Sequence, residues 1–362
     1  MPKTKATIYD PDKTFDDNFD HGPYASPGEI YRNTGLPKYS FLGHKLYSPF
    51  GIAAGSLPTS NHVKYAFERG FDVVTYKTQR SVVFKANEFP NVVYLNSIEG
   101  DLTIEKASSP LVGSLDSDKA IEDLTITNSF GNPSRGPEFW AEDMKKAVSY
   151  AQEGQLLVAS VVGTIQDGFT QEDYYDDFAK TARIAVDSGV EVIEVNLSCP
   201  NVANEGILCY STDAVISVCK KVKEAVRETP VIAKVGYYTP EQQGLLETIV
   251  KETAPYLSAF SAINTIPAKI VDEKGDQLLP GKGRLSSGVC GSGIKWAGLE
   301  MVTRLVDLRK KLGLDFEIIG VGGVATPDDF HDYLNAGATI VQSVTAAMWN
   351  DRLAEQIKAS LK

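Results

Sequence analysis

The sequence predicts an α/β protein built as one closed (β/α)8 barrel, and three observations carry that prediction. Short Val/Ile-rich runs recur along the chain. An amphipathic segment follows each run. Eight such pairs occur in order, and 362 residues exceed the roughly 250 that eight units need. A doubly wound sheet also alternates strand and helix, but eight consecutive units favour closure.

The strand candidates, in order, are FGIAAG (50–55), DVVTYKT (72–78), LLVASVVG (157–164), EVIEVNLS (191–198), PVIAKVG (230–236), AFSAINT (259–265), EIIGVGG (317–323) and TIVQSV (339–344). Brief apolar runs of this kind suit parallel strands buried on both faces. Helices are expected over 60–70, 139–152, 171–188, 212–226, 240–254, 297–312, 327–335 and 350–361. Thr239-Pro240-Glu241 and Thr326-Pro327-Asp328 are helix starts, with Thr at the N-cap and Pro at the first helical position. Residues 1–40 are polar and acidic and read as an arm packed on a surface, leaving 41–362 as the barrel domain.

Two connections are long. Residues 79–138 carry strand-like pieces, NVVYLN (91–96) and LTIEK (102–106), and residues 266–295 are rich in Gly, Lys and Ser. Both follow a strand. Both therefore belong at the C-terminal face, where barrels of this kind keep their sites, and both are expected to cover it.

Composition narrows the function. The chain has 36 Lys+Arg against 47 Asp+Glu, a net charge of -11, which argues against nucleic acid and anionic membranes as partners. No apolar run is long enough to span a bilayer, and the N-terminus lacks the apolar core of a signal peptide. Cys199, Cys209, Cys219 and Cys290 form no CxxC pair and read as reduced thiols of a cytoplasmic protein. With four histidines and no paired His/Cys spacing, no metal site is expected.

Polar residues gather at the strand ends. Lys77 and Thr78 end the second run, and Asn196, Ser198 and Cys199 the fourth. Lys234 lies in the fifth, Asn264 and Thr265 end the sixth, and Gly322-Gly323 the seventh. Asn128 and Asn201 lie in loops beyond strand ends. Each alone reads as a turn or cap residue. Together they place several carboxamides and two lysines on one face. A carboxamide pairs a donor with an acceptor and so matches the edge of a pyrimidine or imide ring. The lysines suit an anionic substrate or a reduced cofactor. A lysine inside a strand is costly to bury, so Lys234 needs a partner or a task. Cys199, at a strand end before a Pro-containing loop, is as readily a reactive thiol as a buried one. Gly322-Gly323 and Ser343-Val344-Thr345 follow the last two strands, where barrels often hold a phosphate.

These residues resemble a known family. NLSCPN (196–201) is similar to the signature of the cysteine-type (class 1) dihydroorotate dehydrogenases, and to a run in the pyrimidine-reducing domain of dihydropyrimidine dehydrogenase. FGIAAG, VTYKT (74–78), TNSFGNPS (127–134), IAKVG (232–236), INT (263–265), SGVCGSGIK (287–295), IIGVGG (318–323) and GATIVQS (337–343) match in the same order. The resemblance implies an FMN barrel oxidising (S)-dihydroorotate to orotate in pyrimidine biosynthesis. Cys199 becomes the base, with Lys77 near substrate and flavin. Asn128, Asn196, Asn201, Asn264 and Thr265 hold the pyrimidine, and the backbone of Phe130, Gly131 and Asn132 approaches its carboxylate. Ala53, Ala54, Gly55, Lys77, Thr78, Asn128, Asn196, Lys234, Thr265, Gly291, Gly322, Gly323, Ser343, Val344 and Thr345 become the FMN contacts. The chain departs from the family pattern at Asn132, Val202-Ala203-Asn204, Cys290, Trp296 and Val344.

Three other readings remain at this point: a flavin reductase of another pyrimidine, a flavin-free aldolase using Lys234 as a Schiff-base lysine, and a binding scaffold. The scaffold reading predicts asparagines that share no pocket. The family suggests a homodimer. Fumarate, or NAD reached through an iron–sulfur subunit, are both open as acceptors. Such a cluster needs clustered cysteines, which this chain lacks.

Overall fold

A computed structural model describes residues 5–25, 30–198 and 208–361. Eight parallel strands close into a barrel: β1 (Phe50–Ile52), β2 (Val73–Gln79), β3 (Leu156–Val161), β4 (Val192–Asn196), β5 (Val231–Val235), β6 (Ala259–Ala262), β7 (Glu317–Val321) and β8 (Ile340–Ser343). Strand order follows sequence order, and β8 returns beside β1 with Val341 opposite Phe50. All eight predicted runs are in the wall. Seven consecutive residues of β2 are buried, which is why such strands read as unbroken apolar stretches.

Helices α1 (Ser60–Glu68), α2 (Pro137–Tyr150), α3 (Gln171–Asp187), α4 (Thr212–Val226), α5 (Gln243–Thr253), α6 (Lys295–Leu312), α7 (Pro327–Ala336) and α8 (Leu353–Ser360) ring the outside. The Thr326 cap holds as predicted: its hydroxyl accepts from Asp329 N at 3.2 Å, and Asp329 Oδ2 accepts from Thr326 N at 2.9 Å. The last predicted helix, 350–361, is α8, and a separate five-residue helix that the sequence reading did not expect, Thr345–Trp349, precedes it.

The bottom of the barrel is plugged. A hairpin of Tyr39–Phe41 and His44–Leu46 drives Phe41 and Leu46 against Val73, Leu156, Val192, Ala259 and Ile340 at the strand starts. This hairpin runs across position 40, where arm and barrel were expected to part. Nearby, Lys358 of α8 bonds to Asp72 at 2.8 and 2.9 Å and to Asn33 at 2.7 Å, while Ser48 donates to Asp72 at 2.6 Å.

The top is covered by a second sheet, of which the sequence reading expected only the strand-like NVVYLN piece, and the rest as loop. Its strands run Val92–Tyr94, Thr125–Asn128, Ser286–Gly291, Ile266–Val271, Leu111–Val112, so both long connections contribute. Arg284 clasps it to the preceding loop, donating to the carbonyls of Glu88, Pro90 and Ser129. LTIEK is a correction: residues Ile104–Ser108 form a short helix, not a strand. Thr103 caps it by accepting from Lys106 N at 3.3 Å, and that cap outweighs the β-leaning Leu-Thr-Ile composition. The N-terminal arm packs at this end too. Thr7 N donates to Met348 O at 2.7 Å, and a helix Phe15–His21 lays Phe15 against the same apolar cluster.

Candidate active site

The strand ends deliver a connected row of polar side chains. Lys77 is fixed near the end of β2 by its N–H to Leu57 O, and Gln79 Nε2 donates to its carbonyl, both at 3.0 Å. Thr78 Oγ1 lies 2.9 Å from Ser160 Oγ and accepts from Asn196 Nδ2 at 3.4 Å. Asn196 Oδ1 in turn accepts from Asn264 Nδ2 at 3.3 Å and from Ser198 N at 3.2 Å. Asn264 also donates to the carbonyl of Ser198. Both carboxamides are thereby held in place at the cavity wall. Asn128 comes from the covering sheet, where its Nδ2 lies 3.7 Å from Cys290 Sγ.

Two buried charges face each other across adjacent strands. Lys234 of β5 is opposite Asn196 of β4, and Glu194, two residues back on β4, is 1% exposed. Burial pulls the Lys234 ammonium below its ordinary pKa, and the Glu194 carboxylate draws it back up.

These groups line one cavity of about 920 Å³, solvent at its mouth included. Ala53, Ala54, Gly55, Lys77, Thr78, Asn128, Phe130, Asn132, Asn196, Lys234, Asn264, Thr265, Val344 and Thr345 all face it. A second space of about 420 Å³ shares Asn264, Val344 and Thr345 with it and is walled by Gly291, Gly322, Gly323 and Ser343. Gly323 sits at φ +69°, and a Cβ there would come within 2.7 Å of Lys295 Cβ, so only glycine lets the backbone form this wall. Gly131 lies between Phe130 and Asn132 and does not itself line either space. Cys199 and Asn201 lie outside the described residues.

The lining carries an unusual set of orphans. Tyr9 Oη, Ser56 Oγ, Asn132 Nδ2, Glu194 Oε1 and Thr265 Oγ1 are buried without a hydrogen-bond partner among the described residues, and all five residues line the first cavity. Buried polar groups are normally paired, so a cluster of unpaired ones marks a place built to receive a polar ligand. The two adjoining spaces, one edged by lysines and asparagines and one walled by glycine backbone, fit a ligand with a polar ring and an anionic tail, as a flavin nucleotide has. The shared pocket also removes the scaffold reading, since Asn128, Asn132, Asn196 and Asn264 meet in it.

Sequence reasoning missed three contributors. Glu194 breaks an apolar strand just as Lys234 does, and that signal was legible. Arg80, fully buried, donates to the carbonyl of Asn132 at 2.9 Å and of Gly163 at 2.9 Å. Tyr9 comes from the arm and packs edge-on to Phe130 at 5.6 Å, a contact nothing in the local sequence announces.

Comparison with known proteins agrees with this geometry. The family model described as dihydroorotate dehydrogenase matches residues 116–362. A dihydroorotate dehydrogenase of Dictyostelium discoideum is 37% identical over 357 residues, covering 96% of this chain and 95% of that protein. The chain belongs to the dihydroorotate dehydrogenase family. With that family it is a flavin oxidoreductase acting on CH–CH groups, which sets aside the flavin-free aldolase. Two catalytic subunits named dihydroorotate dehydrogenase B (NAD(+)) are also similar. That of Malacoplasma penetrans is 32% identical over 66% of this chain and 77% of its own, and that of Methanocaldococcus jannaschii 30% over 59% and 64%. No helix among the described residues is long and apolar enough to cross a membrane.

Proposed function

We propose that this protein oxidises (S)-dihydroorotate to orotate in pyrimidine biosynthesis, as a cytoplasmic homodimer with FMN as its resident cofactor. The observation that carries this reading is the single cavity that gathers Lys77, Lys234, four asparagines and five unpaired polar atoms. Cys199, assigned from the NLSCPN run, takes the proton from C5. The C5–H electron pair becomes the C5=C6 double bond of orotate. FMN, when bound, supplies the acceptor for the C6 hydride at its N5. Asn128, Asn196, Asn201, Asn264 and Thr265 hold the pyrimidine edges, and Lys77 balances the substrate's charge. Lys234 would be among the residues that hold the cofactor and would place a positive charge beside it.

The test is anaerobic mixing of the purified yellow protein with dihydroorotate and, separately, with dihydrouracil. Dihydroorotate should bleach the flavin absorbance, and dihydrouracil should not. Removing a general base costs about 10²–10⁴-fold, so Cys199→Ala should slow bleaching by that much. A free thiol has a reference pKa near ~8.5, so the wild-type rate should climb toward alkaline pH. Bleaching of the Cys199→Ala variant at the wild-type rate, or faster bleaching by dihydrouracil, refutes the reading.

A further inference from the structure

We propose that Glu194 is a positioning residue for the cofactor: from a polar layer inside the barrel it keeps the Lys234 side chain an ammonium beside the flavin, and so favours reduced over oxidised FMN. This role rests on the proposed FMN-dependent activity and deepens it. Three observations carry it.

The first is a polar layer where an apolar one is the rule. Barrel interiors fill in layers of four side chains from alternate strands, mostly Val, Ile and Leu. The strand registers, followed round the barrel with the step that its shear demands, put Thr75 of β2, Glu194 of β4, Ser261 of β6 and Gln342 of β8 in one layer. All four are polar, and none is more than 1% exposed. Gln342 Nε2 donates to Thr75 Oγ1 at 3.1 Å within it. Two residues earlier on the same strands, Val73, Val192, Ala259 and Ile340 pack on the plug. Two residues later, Lys77, Asn196 and Val344 line the cavity. The layer is thus the inner floor beneath the site.

The second is a surplus of oxygen. Glu194 Oε1, Ser261 Oγ and Gln342 Oε1 are buried without a hydrogen-bond partner among the described residues. Lys234 comes from the strand between Glu194 and Ser261, opposite Asn196 on one side and Ser261 on the other. Its head group supplies donors only, and the layer beside it leaves oxygens over.

The third is charge. Lys234 is 5% exposed, and a buried ammonium stays charged only with an opposite charge nearby. Burial pulls its pKa below the ordinary value, and Glu194 draws it back up. The other titratable groups lining the cavity among the described residues are Lys77, Tyr9 and Cys290. Lys77 has the wrong sign to help, and burial raises the pKa of Tyr9 and Cys290, which keeps both neutral at pH 7. Hydride transfer leaves reduced FMN with one more negative charge than oxidised FMN. A fixed cation beside it therefore holds the reduced form more tightly.

Glu194→Gln keeps the shape and removes the charge. Glu194→Asp draws the carboxylate back by one methylene. Both are read, as FMN-loaded protein at pH 8, by the midpoint potential of the bound flavin, in the wild-type and in the Lys234→Met background. In Glu194→Gln the preference for reduced FMN should fall about tenfold, a midpoint lower by about 30 mV for this two-electron couple. In Glu194→Asp it should fall about threefold. Neither fall should occur once Lys234 is Met, because Glu194 acts through it. A carboxylate that merely sits near the flavin predicts the opposite sign, since removing a negative charge raises the midpoint. A midpoint that stays or rises in Glu194→Gln overturns the inference, as does an equal fall without Lys234. If Glu194→Gln does not fold, Glu194→Asp decides alone by the same sign and the same dependence on Lys234. A wild type that takes up no FMN would instead strike the proposed function.

Discussion

Each end of the barrel buries a lysine near a carboxylate, and the two ends treat the pair in opposite ways. At the bottom, Lys358 and Asp72 are mutually bonded and finished off by Asn33 and Ser48. At the top, Lys234 and Glu194 are close enough to feel one another, yet Glu194 Oε1 has no partner among the described residues. A satisfied network in a low-dielectric setting rigidifies the fold, whereas an unsatisfied one withholds that gain. The bottom is built for stability, and the top keeps polar groups open for a ligand. The same substitution should therefore act differently at the two ends.

The largest effect is expected at the bottom. Lys358→Met strands the Asp72 carboxylate and should cost about 3–5 kcal/mol in urea unfolding. The flavin spectrum and kcat per folded molecule should survive. At the top, Lys234→Met removes a desolvated charge but leaves Glu194 without its cation, so the flavin-free protein should lose less stability than Lys358→Met does. Its FMN affinity should fall by about tenfold or more, as when a charged hydrogen-bond partner is lost. Equal losses of stability in the two variants would break the comparison.

A smaller, pH-dependent effect comes from the first turn of α1. His62 on α1 is fully buried, with Nδ1 2.8 Å from Thr59 Oγ1. Burial pushes its pKa down to about 3, below the ordinary value near ~6.5. The unfolded chain thus takes the proton first as pH falls. The stability His62 contributes is full above pH ~6.5 and is lost progressively toward about 3, with a slope of up to about 1.4 kcal/mol per pH unit. His62→Gln should flatten the pH dependence of the melting midpoint across that window. The smallest effect concerns thiols. Burial pushes Cys209 up to about 11 and Cys219 up to about 12, so neither should react with iodoacetamide in the native protein at pH 7. Labelling of either faster than global unfolding would show that the barrel wall opens locally.

How much of this was legible follows from how each element is buried. The eight strands were readable because a strand covered on both faces writes a continuous apolar run. Of the covering sheet only NVVYLN read as strand-like, because the other strands lie in segments that also carry Gly, Lys and Ser, and some pair across large sequence separations, as Asn128 does with Gly288. One of them still bore a sign: Ile266–Val271 alternates buried and exposed over its first four residues, the period of a half-covered strand. Most candidate site residues at strand ends could be placed from the barrel rule and do face the two joined spaces. Tyr9 could not, since only tertiary contact brings the arm to Phe130. Nor could Arg80, whose work is done through carbonyl groups that no sequence pattern marks.

The contact between Thr7 and Met348 has a consequence for how the chain is made. A ribosome adds roughly 5–20 residues per second, so the segment bearing Tyr9 emerges tens of seconds before the residue it must grip. Until then its apolar side chains have no home, and the cavity wall that Tyr9 completes does not exist. That segment is thus made well before it can dock, and the binding site is completed only once the chain has reached Met348.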